Sequence, residues 1–375
     1  MGQGRFPIEQ ATSIDRALAI ALALAIDLAL AIEQASATEA IFAIELAVGY
    51  ALPMSAASRD PWQVGMIGLG LMGQRMLGDM GAHERFQVAA GFDMDRAQLA
   101  STSSEHGFEV AASAEALIER TDLDCVYVAT PPASHVALAK QVLQRGLPLF
   151  LEKPLSVDLN SARELLEFAE ARESRCAINF PFATLPGSKR MQRELLDGTA
   201  GQVLRAEILL HFSQWPRTWH KAGPWLAGGI EGGFLREVFS HFAYLSQRFL
   251  GPLAVESCSL ERTAGQAETR VQAQLRAGAI PLALLGGALG AAPDFNQWTL
   301  YCEERCYRVE NWSTVSTSSA QGWQPLEPEP GESRGARSQL DELSKLLDGE
   351  NCCLPNLAEG LGVMETVEGL LLAGS

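Results

Sequence analysis

A short apolar run, Val64, Met66 and Ile67, leads directly into Gly68-Leu69-Gly70-Leu71-Met72-Gly73 and then into a helix-favouring stretch. In that strand–turn–helix setting the G-x-G-x-x-G pattern has a mechanism. Gly68 permits a tight turn, Gly70 lets a pyrophosphate approach the backbone, and Gly73 lets helix and strand pack closely. Free N–H groups along the turn, from Leu69 to Met72, and the positive end of the helix dipole would hold the phosphates. The next strand, Phe86–Phe92, ends at Asp93, 20 residues past Gly73. That is the spacing of the acid that bonds a ribose 2′-hydroxyl. A carboxylate there repels a 2′-phosphate, so NAD(H) is expected over NADP(H), with Arg96 the residue that could reverse the preference.

The length of 375 residues suggests about two domains, each with its own core. A formal net charge of −16 argues against a nucleic-acid surface and against binding anionic membranes. The seven cysteines form no CxxC pair and no zinc spacing with histidine. Cys302 and Cys306 make an isolated C-x-x-x-C, and Cys352 and Cys353 are adjacent. Reduced thiols of a cytoplasmic protein, with no metal site, are the expectation.

Residues 1–53 read differently. From Ile8 to Gly49 the chain repeats every six residues, with acids at Glu9, Asp15, Asp27, Glu33, Glu39 and Glu45. Six helical steps turn by about 600°, so successive acids spread around the helix and leave no clean apolar face. Asp27 and Glu33 interrupt any membrane span or signal-peptide core, each acid costing ~2.5–3.5 kcal/mol at mid-membrane. The expectation is a repetitive Ala/Ile-rich extension ahead of a start at Met54. A helical interaction segment and a targeting segment are the alternatives.

Beyond Asp93, strands and helices alternate: helix Arg96–His106, strand Cys125–Ala129, helix Ala137–Arg145, strand Pro148–Leu151, helix Ser161–Arg172, strand Cys176–Phe180. Such alternation gives a parallel, doubly wound Rossmann-type α/β sheet spanning 61–179. Ligands lie at the carboxyl ends of its strands, where Gly68–Gly73, Asp93, Thr130-Pro131 and Glu152-Lys153 all fall. The stretch VATPPASH, followed by LEKPL, resembles the glucose–fructose oxidoreductase/inositol dehydrogenase (Gfo/Idh/MocA) family, and the resemblance runs from Trp62 to the C-terminus. It implies that Lys153 sits beside the nicotinamide, that Pro154 follows a cis peptide, and that Thr130, Pro131, His135 and Glu152 line the cofactor. A helix cap or a packing residue is the plainer reading of His135.

From Phe180 onward six strand-like stretches between Val203 and Val309 follow one another with a single early helical interruption, Phe234–Phe249. The expected unit, 180–375, is an α+β domain with an open, mainly antiparallel sheet. The family resemblance implies that this sheet serves substrate covering and pairing as a homodimer or homotetramer. Helices are expected at Ser188–Leu196, Gln339–Leu347 and Leu357–Leu372, and irregular surface chain over Ser313–Arg337. Glu237 and His241, four residues apart, share a helix face, and a carboxylate one turn from an imidazole can orient it. The family pattern there is G-G-x-x-x-D-x-G-x-H; this chain has Glu237 for the aspartate and Phe239 for the second glycine, which suggests an altered pocket. The family's usual arginine after Asn179 is replaced by Phe180-Pro181-Phe182. Trp215, Arg217, Trp219 and His220 are candidate substrate contacts, indoles for a sugar's C–H face and guanidinium for a carboxylate; packing of the loop under a sheet edge is the alternative.

The function expected is an NAD-dependent oxidoreductase of a sugar, polyol or related hydroxyl or carbonyl compound. His241 would carry the hydroxyl proton, Lys153 would stabilise the alkoxide, and Glu237 would fix the imidazole. An imine reductase, an NAD-using elimination enzyme and a non-catalytic NAD-binding regulator are the alternatives.

Overall fold

The computed structural model describes residues 61–217, 224–288, 290–328, 332 and 335–374. The repetitive segment and Met54 lie outside them. Within the first half, β1 (Trp62–Ile67), α1 (Leu71–Gly81), β2 (Phe86–Phe92), α2 (Arg96–His106), β3 (Glu109–Val110), α3 (Ala114–Ile118), β4 (Cys125–Val128), α4 (His135–Gln144), β5 (Leu149–Glu152), α5 (Leu159–Glu170) and β6 (Cys176–Asn179) alternate. The strands form a six-stranded parallel sheet in the order β3-β2-β1-β4-β5-β6. The order reverses between β1 and β4, so the glycine turn after β1 opens onto the crevice where such sheets take ligands. Every residue of β4 and of β5 is buried, as strands covered on both faces require. Val64, Met66, Tyr127 and Phe150 point to one layer, and Val126, Val128, Leu149 and Leu151 to the other.

The second half holds α6 (Ser188–Leu196), β7 (Val203–Phe212), a π-helical turn at Leu235–Phe239 continued by α7 (Ser240–Leu250), and then β8 (Ala254–Arg262), β9 (Glu268–Ala277), β10 (Ile280–Ala288), β11 (Phe295–Cys302), β12 (Tyr307–Glu310), β13 (Thr314–Ser319) and β14 (Gly322–Pro325). These eight strands pair in the order β14-β13-β12-β11-β7-β10-β9-β8, antiparallel except for β7 with β10. Alternation along β7 buries Ala206, Ile208, Leu210 and Phe212 on one face. Phe242, Ala243 and Leu245 of α7 pack in that same core, and Trp298 Nε1 donates to Ser246 Oγ at 2.9 Å. β13 and β14 fall in the stretch expected to be irregular. TVSTSS of β13 and GWQP of β14 lack the apolar runs of inner strands, as suits the margin of a sheet that ends at β14.

The chain ends with α8 (Ala336–Asp348) and α9 (Leu357–Ala373). α8 packs back on the first sheet: Leu340, Leu343 and Leu347 share a core with Val64, Tyr127 and Phe150. Ion pairs Arg85–Asp348 at 3.0 Å and His83–Asp341 at 3.1 Å fasten its side. The two sheets divide at Phe180, yet one face of the first sheet is completed by a helix from the far end of the chain. Leu343 is fully buried there. Leu343→Ala is therefore expected to cost about 2–5 kcal/mol in urea unfolding, whereas a cost within about 0.5 kcal/mol, the scale of a surface substitution, would show that α8 is not part of this core.

Candidate active site

The glycine turn has the shape its sequence implies. Gly68 sits at φ +95°, and a Cβ there would lie 2.6 Å from the carbonyl of Ala129. At Gly73 a Cβ would lie 2.1 Å from Gly68 O, so helix and turn touch backbone to backbone. Gly70 is the opposite case, with nothing within 4 Å of its missing Cβ. Gly70 also caps α1, and no side chain satisfies the first N–H groups of that helix, those of Leu71, Met72 and Gly73. Open space in front of unsatisfied donors is a cradle for a phosphate.

Asp93 stands beside this turn. Its Oδ2 accepts the Leu69 N–H at 2.6 Å and its Oδ1 the Asp95 N–H at 2.8 Å. Each oxygen keeps a lone pair for a further donor. Arg96 is drawn aside, its guanidinium donating to Ala112 O at 3.0 Å and lying 5.3 Å from the Phe92 ring.

The other strand-end residues divide into two groups. Thr130 borders the crevice at the end of β4, with its Oγ1 accepting from Ser134 at 2.7 Å, and Pro131 follows it. His135 is fully buried, with ring nitrogens 2.7 Å from Pro154 O and 2.8 Å from Thr130 O. Burial holds its pKa below the ordinary imidazole value. Its ring lies between the Thr130 and Pro154 turns, and the neutral imidazole donates its single N–H to one of the two carbonyls. Glu152 likewise faces inward. Its Oε1 accepts from Tyr127 Oη at 2.5 Å and Asn179 Nδ2 at 2.6 Å, and Asn179 Oδ1 accepts from Gln339 of α8 at 2.6 Å. Burial raises its pKa. Glu152 is a buried support beneath Lys153.

Lys153 precedes a cis peptide bond to Pro154. Its ammonium donates to Glu237 Oε2 at 2.5 Å and to Glu237 O at 3.1 Å. This corrects the role expected of Glu237. The π-helical turn breaks the single helix read over Phe234–Phe249, and the carboxylate reaches Lys153 across the junction between the sheets. His241 Nδ1 has no hydrogen-bond partner among the described residues. Glu237 thus positions the lysine and not the imidazole. Phe239 is fully buried in the core under the second sheet.

Other aromatics surround the imidazole. The His241 ring stands edge-on to Trp312 at 5.4 Å, to Phe180 at 5.5 Å and to Phe182 at 5.9 Å. His241 is only 8% exposed, and burial, then the charges of Lys153 and Arg217, hold its pKa well below the ordinary imidazole range. It is a neutral base at physiological pH. Arg217, itself buried, lies 5.5 Å from the ring of Phe212, 5.7 Å from Trp215 and 5.8 Å from Trp312. Trp215 packs instead as a structural residue, its Nε1 donating to Leu226 O at 3.0 Å and its ring on Phe212. Trp219 and His220 lie outside the described residues. Trp312 escaped notice in the sequence; Asn311-Trp312 between two strand runs is the turn signal that marks it.

A cleft of about 640 Å³ runs beside this group, lined by Met72 and Arg75 of α1, Asn179, Phe182, Trp312 and Gln339. It reaches from the glycine helix to the indole in front of His241. Among the described residues no group of three His, Cys, Asp or Glu side chains converges as a metal site would, no cysteine is in a disulfide, and no helix is long and apolar enough to cross a membrane.

Residues 62–180 match the oxidoreductase family with an NAD-binding Rossmann fold, Gfo/Idh/MocA. Over that stretch, the first sheet and its helices, the chain is similar to this family. Inositol 2-dehydrogenase 4 of Saccharopolyspora erythraea is 33% identical over 149 residues, 38% of this chain and 43% of that protein. The rhizopine catabolism protein MocA of Rhizobium meliloti is 27% identical over 142 residues, 38% of this chain and 44% of that protein. The match thus spans less than half the length of these curated relatives. The solved WlbA dehydrogenase of Bordetella pertussis, in complex with NADH and UDP-GlcNAcA, superposes with a TM-score of 0.72 at 16% identity over 85% of this chain and 97% of that one. At that identity the likeness shows the fold, two sheets included. Residues 62–180 therefore form a dinucleotide-binding fold whose glycine turn leaves the open space a pyrophosphate needs.

Proposed function

We propose that the chain is an NAD(H)-dependent oxidoreductase of a sugar, polyol or related hydroxyl or carbonyl compound. One observation carries this reading: Lys153 is held by Glu237, and the buried His241 is near enough to feel the lysine's charge. Gly68, Gly70, Gly73 and the N–H groups of α1 would hold the pyrophosphate, and Asp93 a ribose. Bound there, a nicotinamide supplies or accepts the hydride. His241 takes the substrate's hydroxyl proton on oxidation and returns it on reduction. The Lys153 ammonium donates to the same oxygen and stabilises its developing negative charge. Glu237 keeps that ammonium in place. Open-face Leu285 and Phe295 of the second sheet are exposed, which supports pairing of two copies through it.

Adding NAD to the chain with a panel of polyols and aldoses, and following the NADH absorbance band, tests the activity. Reduction with one of them supports the reading; NADH binding with no turnover on the whole panel favours a binding role. Cofactor choice has its own test. Both cofactors are titrated against wild type and Asp93→Ser. NADH is expected to bind wild type more tightly, and the serine variant to narrow the gap at least about tenfold, or ~1.4 kcal/mol. Equal affinities in wild type would mean that Arg96 serves the 2′-phosphate.

A further inference from the structure

Trp312 occupies a backbone position that resists a bulky side chain. The chain reverses between β12 and β13 through Glu310–Ser313, closed by the Ser313 N–H donating to Glu310 O at 3.2 Å. Asn311 and Trp312 have φ of +48° and +71°. Two successive positive φ angles make a hairpin turn whose preferred residues are Asn and then Gly. Asn311 conforms. Trp312 does not, and a large residue held in this region needs surrounding structure to keep it there. The buried Asn296 of β11 does so, its carbonyl accepting the Asn311 N–H at 3.1 Å and its Oδ1 the Trp312 N–H at 3.0 Å.

The held indole lies against the site. It is 5.4 Å from the His241 ring at 84°, 5.8 Å from Phe182 and 6.0 Å from Phe242. Trp312 and Phe182 also line the large cleft, whereas His241 and Lys153 do not. The indole therefore borders both the cleft and the imidazole. We propose that Trp312 is a positioning residue, a strained wall that closes His241 off from the cleft and sets the size of substrate that can reach it. This deepens the oxidoreductase reading and rests on it for the word substrate. The charged groups around His241 are Lys153 and Arg217, with Glu237 neutralising the lysine. Taking the wall away leaves the Lys153–Glu237 pair in place, removes one of the three rings around Arg217, and changes the imidazole's access to water.

The full chain, labelled at its six histidines, is compared with Trp312→Gly, Trp312→Asn and Trp312→Phe. His241 is assigned by the signal lost in His241→Asn. Two quantities are read: the titration of His241 by NMR, and its rate of modification by diethyl pyrocarbonate, located by mass spectrometry. Glycine and asparagine accept a left-handed φ, so their thermal midpoints are expected to hold or rise. In both, His241 should react at least about tenfold faster and titrate closer to the ordinary imidazole range, as a rehydrated ring does. Phenylalanine keeps an aromatic wall and should change the rate by less than about threefold, a fraction of one pKa unit. Unchanged His241 reactivity and titration in folded Trp312→Gly and Trp312→Asn would overturn the proposal. So would loss of the fold in both, which would make the indole a core member and not a wall. Neither readout uses cofactor or substrate, so a wild-type chain without turnover counts against the oxidoreductase reading alone.

Discussion

His241→Ala and Lys153→Ala are each expected to lower turnover by about 10²–10⁴-fold, the usual loss when a positioned acid–base group is removed. NADH affinity should stay within a few-fold in both, because the pyrophosphate cradle follows β1, with β4 between it and the β5 end that carries Lys153. Glu237→Gln should cost less than Lys153→Ala, since an amide oxygen still accepts from the ammonium that the carboxylate now grips at 2.5 Å. The pH profile carries a sign. A proton-accepting base must be neutral, and burial and two nearby cations keep His241 neutral well below the ordinary imidazole range. Oxidation by wild type should therefore hold its rate as the pH falls through about 6.5, the value of an unperturbed imidazole, and decline only further into acid. Steady-state rates across pH check both statements. Near-wild-type turnover in His241→Ala would mean that the proton is handled elsewhere; Tyr244, fully buried with its hydroxyl accepting from Arg248 at 2.7 Å, is poorly placed for the task.

Gly70→Ala and Gly73→Ala are expected to fail in different ways. A methyl at Gly73 would meet Gly68 O at 2.1 Å, and both partners are backbone. The turn must open, with a stability loss of about 1–3 kcal/mol or more, the scale of overpacking, and with NADH binding lost as well. A methyl at Gly70 meets nothing within 4 Å, and the residue's φ of −66° suits any L side chain. Thermal stability should be unchanged there, while the methyl occupies the space a pyrophosphate needs. Calorimetric titration with NADH beside a thermal melt separates the two. Tight NADH binding by Gly70→Ala would place the phosphates somewhere other than this cradle.

The first sheet was legible because its signals are local. A glycine turn, an acid at a strand end and apolar runs between amphipathic helices depend on neighbours in sequence. The second half was less so, for reasons particular residues show. The π-helical turn at Leu235–Phe239 follows from how Glu237 and His241 are received by Lys153 and by the aromatic enclosure, and no helical periodicity encodes it. Trp312 gave no apolar pattern, because its place comes from a turn held by Asn296, 16 residues earlier. Glu152 sits at the end of β5 and His135 at the start of α4, near where ligands bind such sheets, but their side chains turn inward, to Tyr127 and to backbone carbonyls. A motif states where a residue lies along the chain and not which way its side chain points. The return of α8 to the first sheet was hidden for another reason: an amphipathic helix shows that it has a partner without naming it.

Hydride transfer is the central claim, and the fate of deuterium tests it most directly. The full chain is incubated with NADH carrying deuterium at C4 and a pool of ketoses, aldoses and ketopolyols, and products are read by mass spectrometry. The account predicts deuterium on the carbon that gains the hydroxyl, one NAD formed per label transferred, and transfer at least about 10²-fold slower in His241→Ala. NADH bound by the chain, with the label remaining on the nicotinamide throughout the pool, would contradict it.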